Sequence, residues 1–265
     1  PSNVLGKKTF DIFLFINGAL GPLLIGIAVA TFFTGANFSL NEMNNVKWAT
    51  PWHGLEAVLS LRNLSLGIAV LFLARLLGLM YIINSIDDSE LIERARKKAL
   101  VNLVPFLIGF LYFVISLFVS EGFAVDPGSG EVFMEKGKYF HNLVQMPLVM
   151  IAFLAGTLLV LFGLYRTVLT GKTDPIWFGA SGTILFVLSL FMLAGFNNTS
   201  FYPSLTDLQS SLTIRNASSS HFTLKTMFYI SFIIPVVIAY SWYAWRAISS
   251  KKIDKEEISG DGHLY

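Results

Sequence analysis

Six apolar runs, each long enough to cross a bilayer, constrain this chain more than any motif; they fall near residues 10–34, 63–84, 99–119, 146–169, 176–195 and 224–247. A hydrocarbon core about 30 Å thick takes about 20 helical residues. Lipid offers no partner for open backbone groups, so such runs cross as helices. The expected fold is an all-α membrane protein with about six transmembrane helices in a bundle. It is read as one membrane domain over residues 1–265, ending in a charged tail over 249–265. Composition agrees, with 54% hydrophobic and 14% charged residues, where soluble domains carry about 25% charge. The net charge of +2 supplies no field for nucleic acid. Cysteine is absent, which excludes disulfides, thiolate metal sites, iron–sulfur clusters and cysteine nucleophiles.

Local signals refine the helices. Thr50–Pro51 and Asp174–Pro175 read as an N-cap followed by proline at the first helical position, and Ser218–Ser219–Ser220 as the cap of the last helix. Pro22, Pro105, Pro147 and Pro235 fall inside runs, where each leaves a carbonyl unpaired or bends the helix. Gly18, Gly21, Gly26, Gly67, Gly78, Gly179 and Gly182 are read as close-packing positions. The stretch 85-SIDDSELIERARKKA-99 carries acids first and bases last, with Glu90–Arg94 and Glu93–Lys97 at ion-pair spacing. That order suits a solvated helical extension.

Orientation follows the basic residues. Twelve gather on one side: Lys7, Lys8, Arg94, Arg96, Lys97, Lys98, Arg166, Lys172, Arg246, Lys251, Lys252 and Lys255. Six gather on the other: Lys47, Arg62, Lys136, Lys138, Arg215 and Lys225. The first side is expected to be cytoplasmic, with both ends of the chain there. Trp48, Trp52, Trp177, Trp242 and Trp245 fall near the expected interfaces.

Few groups offer chemistry. His53, His141, His221 and His263 all fall outside the middles of the runs, so the facing pair a bis-histidine haem needs is missing. Met80, Met150, Met192 and Met227 are read as packing. His221 opens the last helix, where it is read as a surface group, the alternative being a proton donor or quinone contact. Arg75 resists such an account. It lies roughly eight residues, or about 12 Å, from the cytoplasmic end of its run. An unpaired charge at that depth costs at least about 3 kcal/mol. Asp and Glu are absent from the cores of all six runs, Asp11 lying only at an edge. The counter-anion of Arg75 is therefore expected from outside this chain: a partner carboxylate, a haem propionate, or else backbone carbonyls and water.

The run 207–248 carries Ser211–Leu212–Thr213, Asn216–Ala217–Ser218–Ser219, Leu224–Lys225, Pro235, then Tyr240, Trp242 and Tyr243. This pattern resembles the C-terminal end of subunit II of cytochrome bd-type quinol oxidases. The stretches 31-TFFTGANF-38, 50-TPWHGLEA-57 and 195-GFNNTSFYPS-204 extend the resemblance over essentially the whole chain, and the tail looks most like Bacteroidetes-type members. The polar string before the last run would then cap that helix. Many relatives carry Trp-Asp where this chain has Arg215–Asn216, so a proton role at Asn216 is weakened. Relatives often have His or Gln at Arg75, and a permanent cation cannot titrate as His does.

The resemblance implies a non-haem-ligating subunit that packs against a haem-bearing subunit I holding haems b and d. It also implies quinol and dioxygen as substrates of the complex, with a structural quinone and a small single-helix subunit as further companions. The setting would be the bacterial inner membrane and its respiratory chain. Family members have about three further N-terminal helices, and a chain opening at Pro1 fits the point just after them. The rival readings are a secondary transporter or channel, which needs broken helices and midplane charge, and a free-standing assembly factor.

Overall fold

The computed structural model describes residues 6–170, 174–248 and 253–254. Lys172, Lys251, Lys252, Lys255 and the closing His263–Leu264–Tyr265 lie outside the described residues. The elements in order are α1 (Lys7–Thr34), β1 (Phe38–Leu40), β2 (Val46–Trp48), a 3-10 turn (Leu55–Leu59), α2 (Leu61–Ser85), β3 (Ile86–Asp87) and α3 (Ser89–Val119). There follow β4 (Glu121–Val125), β5 (Val132–Lys136), α4 (Lys138–Gln145), α5 (Pro147–Tyr165) and a π-helical turn (Arg166–Thr170). The chain then forms α6 (Pro175–Leu193), a 3-10 turn (Leu208–Ser210), α7 (Ile214–Ala217), α8 (His221–Ser231), α9 (Ile234–Ile248) and β6 (Ile253–Asp254).

Among the described residues six helical segments are long and apolar enough to cross a membrane: Lys8–Thr34, Leu61–Ser85, Ser89–Val119, Pro147–Thr170, Pro175–Leu193 and His221–Ile248. The all-α membrane reading holds; the strands are short two-stranded pieces, β1–β2 and β4–β5 antiparallel, β3–β6 parallel. The acid-first stretch after Ser85 is continuous with the third span. Asp88 caps α3 by accepting from the amides of Glu90 at 2.8 Å and Leu91 at 3.2 Å.

Glycine sets how closely the helices approach. A Cβ on Gly26 would sit 2.7 Å from the Gly67 Cα, and one on Gly109 would sit 2.7 Å from the Ser65 carbonyl oxygen. Gly156 and Gly182 face each other between α5 and α6, and Gly163 lies against the Gly179 backbone. Small residues at these points let the backbones touch, which is how helices gain packing energy in lipid. Gly18, Gly21 and Gly78, expected to pack in the same way, face open space instead. Their positions on α1 and α2 turn away from the neighbouring helices of this chain.

Pro147 acts otherwise than the sequence suggested, and Pro235 as it suggested. Pro147 is not internal: α4 ends at Gln145 and Pro147 opens α5, where its missing N–H is no loss. Pro235 follows a break at Phe232–Ile233 that divides the last span into α8 and α9. Proline cannot donate to the carbonyl four residues back, here that of Ser231, so the ladder opens there. Thr50–Pro51 does not start an α-helix either. The Thr50 hydroxyl donates to Glu56 Oε1 at 3.0 Å, and the chain makes a turn and a 3-10 segment before α2, which Ser60 caps. Asp174 does sit at the N-cap of α6 with Pro175 at the first turn, but its carboxylate accepts from Arg166 at 2.5 Å rather than capping.

The core runs through the middle of five helices. Phe33, Phe113, Tyr139 and Leu193 are fully buried in it. Aromatic rings bridge the helices in edge or tilted pairs, Phe153–Phe186 at 4.9 Å and Phe110–Phe186 at 5.1 Å between centroids. The sixth segment meets the bundle through the Trp177–Trp245 ring pair, 5.6 Å between centroids, yet none of its most apolar window is buried within the chain.

Candidate functional site

The three long connections close over one end of the bundle and interlock. Ala36 bridges to the third connection, its N–H donating to the Pro203 oxygen at 3.0 Å and its carbonyl accepting from Leu205 N at 2.9 Å. The Ser204 hydroxyl donates to the Phe38 carbonyl. Gln209 pairs with the Val132 backbone in both directions, each bond 3.0 Å. Val125 N reaches the Asn198 oxygen at 2.9 Å, and Ser200 N the Phe123 oxygen at 3.0 Å. These bonds explain the Ser, Thr and Asn density before the last span. Ser204, Ser210, Ser211 and Thr213 are buried, and their hydroxyls or backbones hold the cap together. Only Ser220 does what the sequence assigned to the whole string, accepting from the Thr223 amide at 3.3 Å to start α8.

Asn216 belongs to this cap. Its Oδ1 accepts from Thr213 N at 2.7 Å, and its Nδ2 donates to the Ser211 oxygen at 2.9 Å, completing a capping box on the single turn α7. Arg215 beside it donates to the Pro127 oxygen at 2.6 Å. His221 is exposed at the first position of α8. His53 lies in the turn after β2, its ring 6.2 Å from that of Trp48. His141 Nδ1 lies 2.9 Å from Glu135 Oε1, with Lys138 Nζ 3.5 Å from the other carboxylate oxygen. None of these three histidines faces another, and no group of three or more His, Cys, Asp or Glu is arranged to hold a metal among the described residues. A bis-histidine haem site would need two of them face to face.

Glu135 gives a pH test of the cap. The hydrogen bond from His141, and then Lys138, hold its carboxyl below the ordinary range, against the opposing effect of burial. A carboxyl whose folded pKa is depressed stabilises above its unfolded pKa, and that stability is lost as pH falls through the folded value. Thermal melts of the purified protein should therefore fall on acidification below about pH 4.5. His141→Ala should flatten that part of the profile; an unchanged slope would assign it to other carboxylates.

Sequence reasoning missed the cap's main polar anchor. Asn142 on α4 is wholly buried; its Nδ2 donates to Thr199 Oγ1 at 2.7 Å and to the Leu193 oxygen at 3.1 Å, while its Oδ1 accepts from Asn197 at 3.1 Å. The available signal was an Asn on the apolar side of a short amphipathic helix.

Deeper in the bundle, an apolar cavity of about 150 Å³ opens between α1, α2, α3, α5 and α6, lined among others by Val29, Leu66, Phe110, Val160 and Phe186. At the opposite end from the cap, Arg75 lies exposed in a groove with Gly78, Leu79, Ile82, Lys98 and Asn102. Its guanidinium sits 5.9 Å from the Phe72 ring. The antiparallel register of α2 and α3, with Arg62 bonded to Ser120 and Gly109 against Ser65 and Ala69, sets Arg75 level with Asn102. Asn102 is four residues, or about 6 Å of helix, beyond Lys98. The charged stretch of α3 therefore ends at Lys98, about one helical turn from the level of Arg75.

The model of the family described as cytochrome bd terminal oxidase subunit II matches residues 2–248. The chain belongs to that family. Among curated relatives it is similar to cytochrome bd-I ubiquinol oxidase subunit 2 of Escherichia coli K12, 25% identical over 270 residues, covering 97% of this chain and 69% of the relative. It is also similar to a probable cytochrome oxidase subunit 2 of Haemophilus influenzae, 25% identical over 256 residues, covering 92% of this chain and 65% of the relative. A cytochrome bd subunit II is a multi-pass membrane component of a terminal oxidase of respiratory electron transport, an oxidoreductase complex that carries haem and a subunit I.

Proposed function

We propose that this chain is the haem-free structural subunit of a quinol:dioxygen oxidoreductase in the bacterial cytoplasmic membrane, packed against the haem-bearing subunit I and stabilising it. The observation that carries the reading is the last span, His221–Ile248, which is apolar, rich in aromatic residues and buried nowhere against its own chain. A helix broken at Phe232–Ile233 leaves backbone carbonyls open, and in lipid a neighbouring helix is the usual means of covering them. Phe222, Phe228, Phe232 and Tyr240 on this span supply packing surface for such a neighbour. The outward face of α1, with Phe13, Leu14 and Phe15 exposed, leaves surface for a small single-helix subunit.

On this reading the redox steps belong to haems b and d in subunit I. The residues here exclude water and shape apolar space. The interhelical cavity has the size and lining for dioxygen or part of a structural quinone. Arg75 stands ready as a counter-charge, and His221 and Asn216 serve the cap and the start of the last span.

Purification in mild detergent tests the whole. The expected result is a larger haem-bearing partner and bands in the reduced-minus-oxidised spectrum. A colourless solitary chain that moves solute across vesicles would instead support a transporter.

The absence of cysteine makes orientation directly testable. On this reading both ends of the described chain lie in the cytoplasm. Ser129→Cys, in the exposed β4–β5 turn, should react with an impermeant maleimide in spheroplasts. Ser89→Cys, at the start of α3, should react only after permeabilisation. The opposite pattern would invert the topology.

A further inference from the structure

Two cations share the groove between α2 and α3, Arg75 and Lys98, and neither forms an ion pair with an acid among the described residues. Of the acids nearest in sequence, Asp87 lies exposed before α3 and the next three are engaged elsewhere. Glu90 pairs with Arg94, Glu93 with Lys97 at 2.7 Å, and Asp88 caps α3. The Asn102 amide is tied to the Lys98 carbonyl at 2.6 Å, which fixes the wall of the groove and leaves the two cations as its free charged donors. Gly78 forms part of the floor, with nothing within 4 Å of where a side chain would begin, so a ligand can approach the helix backbone. The groove has a volume of about 290 Å³.

We propose that this groove binds the phosphate of an anionic phospholipid. Arg75 and Lys98 grip the phosphate from the two helices. An acyl chain runs along α3 over Val101 and Ile108, which continue the Lys98 face and are 68% and 66% exposed. Two observations favour a lipid over a partner's carboxylate. The register places the cations at the edge of the apolar part of α3, the level expected of the headgroup phosphates of one leaflet. The groove's apolar continuation points along the span toward the bilayer interior, as a lipid tail would. Basic pockets between helices, at the end of a bundle where positive charge gathers, attract anionic headgroups, and each basic residue near the surface adds a similar increment. The guanidinium fork also suits phosphate oxygens. The inference requires only that the chain spans a membrane and does not depend on the oxidase reading.

The test is retention of dioleoylphosphatidylglycerol against dioleoylphosphatidylcholine by the purified complex after detergent delipidation, read by native mass spectrometry and lipid titration. The wild-type protein should prefer the anionic lipid by about 25-fold, about fivefold per cation. Arg75→Gln and Lys98→Gln should each remove about fivefold of that preference, Arg75→Lys should keep part of it, and Lys47→Gln at the cap end should change nothing. Lys98 sits at the polar boundary, so Lys98→Gln keeps the test valid if Arg75→Gln fails to assemble. Equal retention of the two lipids, or wild-type preference in both Gln variants, overturns the proposal. So does displacement of the lipid by excess inorganic phosphate, which would mark a free-anion site. Loss of the partner subunit from Arg75→Gln with lipid preference intact would assign the groove to a protein interface instead.

Discussion

Gly182→Val should abolish the folded α5–α6 hairpin. Even the first added carbon would lie 2.6 Å from the Val160 nitrogen, 2.7 Å from the Leu159 Cβ and 2.8 Å from the Gly156 oxygen. Two of those neighbours are backbone, so no rotamer change relieves the clash, and the helices must separate along the seam that Gly156, Gly163, Gly179 and Gly182 form. Overpacking in a tight core commonly costs about 1–3 kcal/mol, and a clash with backbone belongs at or above the top of that range. Separation would also open the interhelical cavity and unstack Phe153 from Phe186. The check is thermal unfolding and yield of the purified protein in detergent. Gly18→Ala is the control, since nothing lies within 4 Å of that position. It should be neutral or gain up to about 1 kcal/mol from helix propensity. If Gly182→Val melts as the wild type does, the close approach of α5 and α6 is not what holds this pair.

Asn142→Leu should be nearly as damaging, for a different reason. Leucine matches the volume roughly but leaves Thr199 Oγ1, the Leu193 carbonyl and the Asn197 amide without the bonds that Asn142 supplies. Orphaning a buried polar group costs about 1–3 kcal/mol, so a total of about 3 kcal/mol or more is expected. The effect should be felt in the segment after α6, where Asn197 and Asn198 hold φ of 54° and 56°. Left-handed backbone of this kind persists only when its surroundings fix it. Limited proteolysis should open a site near residues 195–200 in the variant. Thr199→Val removes the bond from Asn142 and the longer one that Thr199 Oγ1 donates to the Asn197 oxygen at 3.3 Å; it should cost less, and the double variant should be less destabilised than the sum of the two. Strict additivity would show that Asn142 and Thr199 do not act as one unit.

The spans were legible because lipid imposes a length and a composition that local sequence records directly. Ser220 as the last cap and Asp174–Pro175 as the start of α6 were legible for the same reason: caps are local. What escaped was decided by partners distant in the chain. Gly156, Gly163 and Gly109 look no different in sequence from Gly18 or Gly78, yet the first three meet backbone and the last two meet open space. Thr50–Pro51 has the letters of a helix start, but the Glu56 carboxylate draws Thr50 into a turn. Pro147 falls within an apolar run and still begins a helix, because α4 stops two residues earlier. Arg75 was measured against its own helix alone, and its level beside Lys98 and Asn102 of α3 emerges only from the packing of the two helices. The Ser- and Asn-rich string was assigned to the helix that follows it; most of its bonds stay within its own connection, and Ser210 and Arg215 tie that connection to the earlier loops at Leu40 and Pro127.

That last point bears on how the molecule is made. The bond from Ser204 to the Phe38 carbonyl joins residues 166 positions apart. Ribosomal synthesis proceeds from the amino end, so β1 and the turn after it emerge with no counterpart for most of translation. Five of the six spans must be inserted before residues 199–213 reach the same side of the bilayer and the three loops can join. Contacts this non-local form late and slowly. Closure of the loop layer is therefore a late act of this chain's maturation, and a chain stalled before residue 199 would present to quality-control proteases five inserted helices beneath two loops still lacking the third.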